Sequence, residues 1–320
     1  MTQRGSITPP TNQLINQKMT KIDFDFRSVD TCLYHKDCAD GFASAWILYN
    51  HNRDRFQDIK FIPMTHGMNP DDIKLDIIDK NVLIVDFSFK RNVLLELQPL
   101  AKNMLVVDHH KTAKEDLEGL PFAIFDMDKC GASLLWNLVR GGTPVPFIQY
   151  IEDRDLWKWK LPNSKAINSV IQITPQDFKS WDDLFYGNID SLIERGIHIE
   201  DSFTYLAKTT AKDARLVELN VTIYGEGRSI EHKTVKMRVV SCGVSNLISE
   251  TLHEVLEAFD DVDVACSYTI FPDGGQLYSL RSRLSFDCSW IAKAFGGGGH
   301  AQACGFKRKD VFGFPWGVLG

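Results

Sequence analysis

The chain has 320 residues, of which 44% are hydrophobic, 24% charged and 11% aromatic, and a net charge of −6. That length accommodates two domains with a sizeable core, and the acidic balance argues against a broad non-specific duplex binder, which needs a basic face. No stretch is apolar for long enough to span a bilayer, and Met1–Lys21 lacks the apolar centre of a signal peptide. The expected compartment is the cytoplasm, with no membrane association. Cys32, Cys38, Cys130, Cys242, Cys266, Cys288 and Cys304 include no Cys-x-x-Cys pair. Reduced thiols therefore fit better than a zinc ribbon or a disulfide framework.

Residues 1–28 read as a loose extension. Asp30–His35 is the first predicted strand, and Lys36–Gly41 turns it into a helix over Phe42–Tyr49. Strands follow at Ile59–Pro63, at Val82–Val85 ending on Asp86, and at Met104–Val107 ending on Asp108–His109–His110. A helix is expected near Asn92–Lys102, a strand at Phe122–Phe125, and a helix start at Cys130–Trp136. Ile148–Glu152 reads as another apolar run, leading to Asp153 and Asp155. Strands alternating with helical patterns predict a doubly wound, mainly parallel α/β sheet over residues 29–185. Asn163–Gln176 shows less pattern, and residues 186–220 read as a helical connector. Residues 221–320 then form a smaller α/β domain. It has strands at Val235–Cys242, Val262–Ile270 and Gln276–Leu284, an amphipathic helix at Leu247–Phe259, and a short helix at Cys288–Phe295 capped by Asp287.

Four apolar runs thus end in acids and imidazoles. Side by side, their ends would gather the ligands of a hard or borderline divalent centre, with room for two ions. Each of these residues alone could equally be a turn or cap. His66 follows a strand and is a rim candidate.

Asp108–His109–His110 resembles the motif that names the DHH phosphoesterase superfamily, which includes RecJ-type exonucleases, nanoRNA and cyclic-dinucleotide phosphodiesterases, and manganese-dependent pyrophosphatases. His35 with Asp40–Gly41, then Asp86, then Asp153 match the other catalytic motifs in order. Gly297–Gly298–Gly299–His300 with Cys304–Gly305–Phe306 is similar to the glycine-rich signature of the DHHA1 domain. Together these cover roughly residues 30–310. The local wording His-x-x-Cys-x-Asp-Gly-Phe departs from the better-known pattern. There a second aspartate stands two residues after the one equated with Asp40, where this chain has Phe42; Asp37 is a candidate substitute.

The resemblance implies one cation held by His35, Asp40 and Asp86, and a second by Asp86, His109 and Asp153, with Asp86 bridging. Mn²⁺ suits this mixed set, and Mg²⁺, Co²⁺ or Zn²⁺ could replace it. Asp153 and Asp155 compete for one place, and Asp153 stands first after its run. Asp108 would orient a histidine, and His110 would contact the scissile phosphate or serve a structural role. Gly297, Gly298 and Gly299 can present backbone N–H groups to an anion, with His300 beside them; an ordinary helix-ending turn is the alternative. Arg281 is the candidate for a terminal phosphate or base, or else a solvated strand position. The implied activity is metal-dependent hydrolysis of phosphodiesters in short single-stranded oligonucleotides or linear dinucleotides, releasing mononucleotides, with no obligate protein partner. A phosphomonoesterase, a RecJ-type exonuclease and a non-catalytic nucleotide-binding module are the rivals.

Overall fold

The computed structural model describes residues 24–65, 67–224, 230–309 and 314–318. His66 and most of the N-terminal extension lie outside them. The first sheet is built from β1 (Thr31–His35), β2 (Lys60–Met64), β3 (Asn81–Val85), β4 (Asn103–Asp108) and β5 (Ala123–Phe125). All its pairings are parallel, in the order β2-β1-β3-β4-β5. Its central strands are apolar on both faces because both are covered. Cys32, Tyr34, Leu83, Val85, Leu105 and Val107 pack into one core, and Leu33, Val82, Ile84, Met104 and Val106 into the opposite one. The doubly wound α/β architecture expected from the sequence is present.

The first core is covered by α1 (Ala39–His51), α5 (Gly131–Val139), α6 (Pro146–Asp155), α7 (Ser164–Ile173) and α8 (Phe178–Tyr186). The second is covered by α2 (Lys74–Ile77) and α3 (Arg91–Leu97). A short helix, α4 (Lys111–Asp116), follows β4 directly. In this strand order the chain reverses direction between β1 and β3, which is where open α/β sheets form a crevice. His35 ends β1 and Asp86 follows β3 at that point.

Several local expectations are corrected. Ile148–Glu152 lies in helix α6, not in a strand; Phe147, Ile148 and Ile151 are its buried residues, at helical spacing. Ser164–Ile173, unpatterned to the eye, is a helix burying Ala166, Ile167, Val170 and Ile171. Residues 24–28 are not loose: Phe24 and Phe26 pack on the core, and the Arg27 guanidinium donates to the His51 carbonyl (2.6 Å).

Helix α9 (Ile189–Ala211) leads to the second sheet. The helical connector stops there, because Arg215–Tyr224 is strand β6, with Val217, Leu219 and Val221 buried in alternation. The remaining strands are β7 (Ile230–Ser241), β8 (Val264–Ile270), β9 (Gln276–Ser282), β10 (Gly298–Gly299), β11 (Ala303–Arg308) and β12 (Trp316–Val318). They form a second sheet in the order β10-β11-β9-β8-β7-β6-β12, in which only β7 and β8 pair in parallel. Helix α10 (Ile248–Ala258) packs on one face with α9, and α11 (Ser289–Ala294) on the other. The N-cap of α11 is Cys288 and not Asp287 as expected, although the Asp287 Oδ1 accepts from the Ser289 N–H (2.9 Å). The second domain meets α4 through the ion pairs Lys111–Asp287 and Lys293–Glu115.

Candidate metal centre

Parallel pairing of β1, β3 and β4 sets three polar chain ends side by side, and Asp86 stands in the middle. It is 1% exposed, and its backbone takes the left-handed conformation at φ 50°. Aspartate tolerates that conformation better than most residues, and backbone strain of this kind is typical of functional positions. The two oxygens of Asp86 face different neighbours. Oδ1 lies 3.2 Å from His109 Nε2, while Oδ2 lies 3.5 Å from His35 Nδ1 and accepts from the Cys38 thiol at 3.3 Å.

Asp40 sits in the first turn of α1. Its carboxylate accepts the N–H groups of Gly131 (2.6 Å) and Ala132 (2.8 Å), the first turn of α5. A helix N-terminus favours such an anion. The fit requires glycine at 131, since a Cβ there would lie 2.8 Å from Asp86 Cβ and 2.9 Å from Asp40 Oδ2. Asp40 Oδ2 is 3.5 Å from His109 Nε2, and Asp155 Oδ2 approaches the same nitrogen at 3.4 Å. His35, Cys38 and Asp86 therefore form one ligand group and Asp40, His109 and Asp155 another, with Asp86 touching both. Asp40 belongs with His109, not with His35 as the motif order suggested.

Asp153 is not in the centre. It is the knot of the loop after α6: its carbonyl accepts from Lys158 N–H (2.7 Å), and its carboxylate from Lys160 (2.9 Å) and Leu161 (3.2 Å) N–H groups. Asp155 takes the place expected for it. Two residues apart on a helix are about 200° apart in azimuth, so only one of the pair can face the cluster. Asp37 is also excluded as a ligand there, its side chain being 70% exposed and turned toward Lys36. Phe42 is core, stacked on Phe178 and edge-on to Trp181.

Asp108 Oδ1 accepts the His109 N–H (2.7 Å) and bonds His110 Nδ1 (2.7 Å), fixing the turn and the His110 ring. From the second domain, His300 reaches the same cluster, its ring centroid 4.7 Å from those of His109 and His110. The other second-domain candidates do not behave as expected. Arg281 is spent within its own domain, donating to the Leu280 carbonyl (2.8 Å) and Ser249 Oγ (2.7 Å). The amides of Gly297 and Gly299 are also occupied, by the Ala292 carbonyl (2.8 Å) and Thr112 Oγ1 (2.9 Å). A Cβ at Gly297 would meet the Gly305 carbonyl at 2.0 Å, and one at Gly298 would meet Thr112 Oγ1 at 2.5 Å. Two of the three amides are thus engaged, and the glycines serve close hairpin packing and contact with α4. Cys38, Gly131 and Thr112 are the neighbours that the sequence reading passed over. For Cys38 a signal existed, two residues before Asp40.

Crowding and burial shift Asp40, Asp86, Asp155, His109, His110 and His300. Burial, with Asp86 and Asp155 beside it, holds the Asp40 carboxyl well above the usual range, and burial with Asp86 raises Asp155. Asp86 is driven the other way: burial opposes ionisation, but His109 and His35 hold it well below. His109 is raised against its burial by Asp155, Asp86 and Asp40, and His110 by Asp108. Burial and the two neighbouring histidines push His300 down to about 2. Asp86 Oδ1 and Asp155 Oδ2 are buried without a hydrogen-bond partner. Buried carboxylate oxygens without donors, packed around imidazole nitrogens, suit divalent cations.

No family model matches the chain. An uncharacterized protein, R106, of Acanthamoeba polyphaga mimivirus is 28% identical over 321 residues, spanning 95% of this chain and 71% of that protein. Among solved structures, exonuclease RecJ bound to manganese aligns with a TM-score of 0.49 at 14% identity, covering 86% of this chain and 85% of that one. The pGpG-specific phosphodiesterase PggH from Vibrio cholerae aligns with a TM-score of 0.43 at 13% identity, covering 88% and 93%. No helix among the described residues is long and apolar enough to cross a membrane.

Proposed function

We propose that the chain is a metal-dependent phosphohydrolase that cleaves phosphodiester bonds of short single-stranded oligonucleotides or linear dinucleotides. The observation that carries this reading is the cluster of the buried Asp40, Asp86 and His109 with the partly buried Asp155 at the sheet's crevice, with two buried carboxylate oxygens lacking hydrogen-bond partners. Asp40, His109 and Asp155 would hold one divalent cation, and His35 and Asp86 would contribute to a second, with Mn²⁺ suited to the carboxylate-rich half. When bound there, such ions would supply Lewis-acid activation of the attacking water near neutral pH.

The protein's own groups do the rest. Asp86, with one oxygen toward each ligand group, ties the two halves together. Asp108 holds His110 in one orientation and favours its charged form, so that His110 can donate to a phosphoryl oxygen or to the departing oxygen. His300 joins the cluster from the second sheet, its ring centroid 4.7 Å from those of His109 and His110. A site roofed by a second domain favours short, flexible substrates over duplex, in keeping with the acidic net charge.

The test is a time course with Mn²⁺ on end-labelled RNA and DNA of two to about thirty residues (a span bracketing short- and long-strand binding modes), with and without terminal phosphates. Cleavage concentrated on the shortest chains is expected. Efficient digestion of long DNA would point to an exonuclease, and loss of a terminal phosphate alone to a phosphomonoesterase. Nucleotide binding without turnover across several metals would remove the enzymatic reading.

A further inference from the structure

We infer that Cys38 is a metal ligand, and that the half of the centre formed by His35, Cys38 and Asp86 is a mixed nitrogen, sulfur and oxygen site that prefers a softer cation than the half formed by Asp40, His109 and Asp155. This rests on the metal-centre reading above and deepens it.

Three observations carry the inference. First, Cys38 stands apart from the other thiols: the six others are buried, and Cys38 alone is partly exposed. Second, its sulfur is not packed in a core. It lies 3.3 Å from Asp86 Oδ2, the oxygen that faces His35 Nδ1 at 3.5 Å, and the three ligand atoms all fall within 4.8 Å of one another. A tetrahedral cation with bonds of about 2.0–2.3 Å to nitrogen, oxygen and sulfur has ligand-to-ligand edges of about 3.3–3.6 Å. The two measured separations fall within that range. Third, the Asp86 carboxylate that the sulfur adjoins is 1% exposed, and its other oxygen has no hydrogen-bond partner.

Placement agrees with geometry. Asp40 lies in the His109 half of the centre, so the His35 half has only one carboxylate, from Asp86. The position two residues before Asp40, at the cap of α1, supplies the missing donor, and it is a cysteine. On cation binding the S–H bond breaks, the sulfur bonds the cation, and the proton leaves to solvent. A thiolate favours Zn²⁺, Co²⁺ or Fe²⁺ over Mg²⁺, which prefers oxygen. Such a site lets the two halves of the centre hold different ions.

The test is a Co²⁺ titration of the full, reduced, metal-stripped chain, read by absorption. Wild type is expected to show visible d–d bands together with a near-ultraviolet thiolate-to-cobalt band. Cys38→Ser should abolish the near-ultraviolet band, keep visible bands from the remaining site, and weaken Zn²⁺ binding at least about tenfold. Cys38→Asp should also lose the band while keeping two bound ions, and it guards against a serine variant that fails to fold. Cys130→Ser, the nearest other thiol to Asp40, should retain the band. Persistence of the band in Cys38→Ser, or cobalt bound to wild type without it, overturns ligation by Cys38 and leaves the metal centre standing. No cobalt bound to wild type overturns both.

Discussion

Asp153→Asn and Asp155→Asn, made separately, are predicted to act on different properties although the residues are two apart. Asp153 is 4% exposed, and its carboxylate accepts two backbone N–H groups at 2.9 and 3.2 Å. Hydrogen bonds to a charged group contribute about 1.5–3 kcal/mol each. An asparagine keeps one neutral acceptor and turns an NH₂ toward a donor, so the metal-free protein should lose about 2–4 kcal/mol. Asp155 makes no such bonds: its Oδ2 is buried without a hydrogen-bond partner, and burial and Asp86 raise its pKa. A carboxyl whose folded pKa lies above its unfolded one destabilises the fold when ionised at neutral pH. Asp155→Asn should therefore leave metal-free stability unchanged or higher, while lowering Mn²⁺ affinity at least about tenfold. Urea unfolding in chelator and calorimetric Mn²⁺ titration measure the two effects. If Asp155→Asn destabilised the metal-free chain while Mn²⁺ affinity held, Asp155 would be a structural residue and the ligand grouping would be wrong.

Gly131→Ala should weaken Mn²⁺ binding without touching a ligand, because its Cβ would sit 2.8 Å from Asp86 Cβ; relieving such an overlap costs about 1–3 kcal/mol, and unaltered affinity would show that the two carboxylates are not held as described. Mn²⁺ at a hundredfold excess over its Kd should raise unfolding stability by about 2.7 kcal/mol, and no rise would mean that the cluster does not bind it in the folded state. His300, with its folded pKa pushed down to about 2, contributes stability above about pH 6.5 that is lost as pH falls below it. His109 and His110, raised by their acidic neighbours, contribute with the opposite sign. His300→Gln should remove about 1.4 kcal/mol per pH unit from the acid-side slope of metal-free stability, and an unchanged slope between pH 4 and 6 would show that His300 is not held neutral.

The parallel sheet was readable because strands covered on both faces must be continuously apolar, and each such run here stops on a residue that cannot stay unpartnered in a core. Val82–Val85 before Asp86 and Met104–Val107 before Asp108 are the clearest cases. Pairing of β1, β3 and β4 then follows from βαβ connection rules, and it brings His35, Asp86 and His109 together. Helix α6 was misread for a reason that also explains the wrong carboxylate. Its apolar residues crowd into Phe147–Ile151, too short a stretch for period alone to separate strand from helix. On a strand, positions 153 and 155 would share a face, and the first to emerge from the run would be the natural ligand. On a helix they point to opposite sides, and the residue nearer the helix end reaches the crevice.

The second domain shows the complementary limit. A run of four glycines beside a histidine has the composition of an anion cradle, but composition does not say where backbone amides are spent. Gly299 gives its N–H to Thr112 of α4, on the helix that starts directly after His110. That bond, with Lys111–Asp287 and Lys293–Glu115 around it, ties the glycine hairpin to the residues following Asp108–His109–His110. The hairpin is therefore less a ligand loop than the hinge plate that delivers His300 onto His109 and His110. The two domains consequently share one site at the level of side chains, and a change in the relative position of β10 and α4 should alter the centre as directly as a change in one of its ligands.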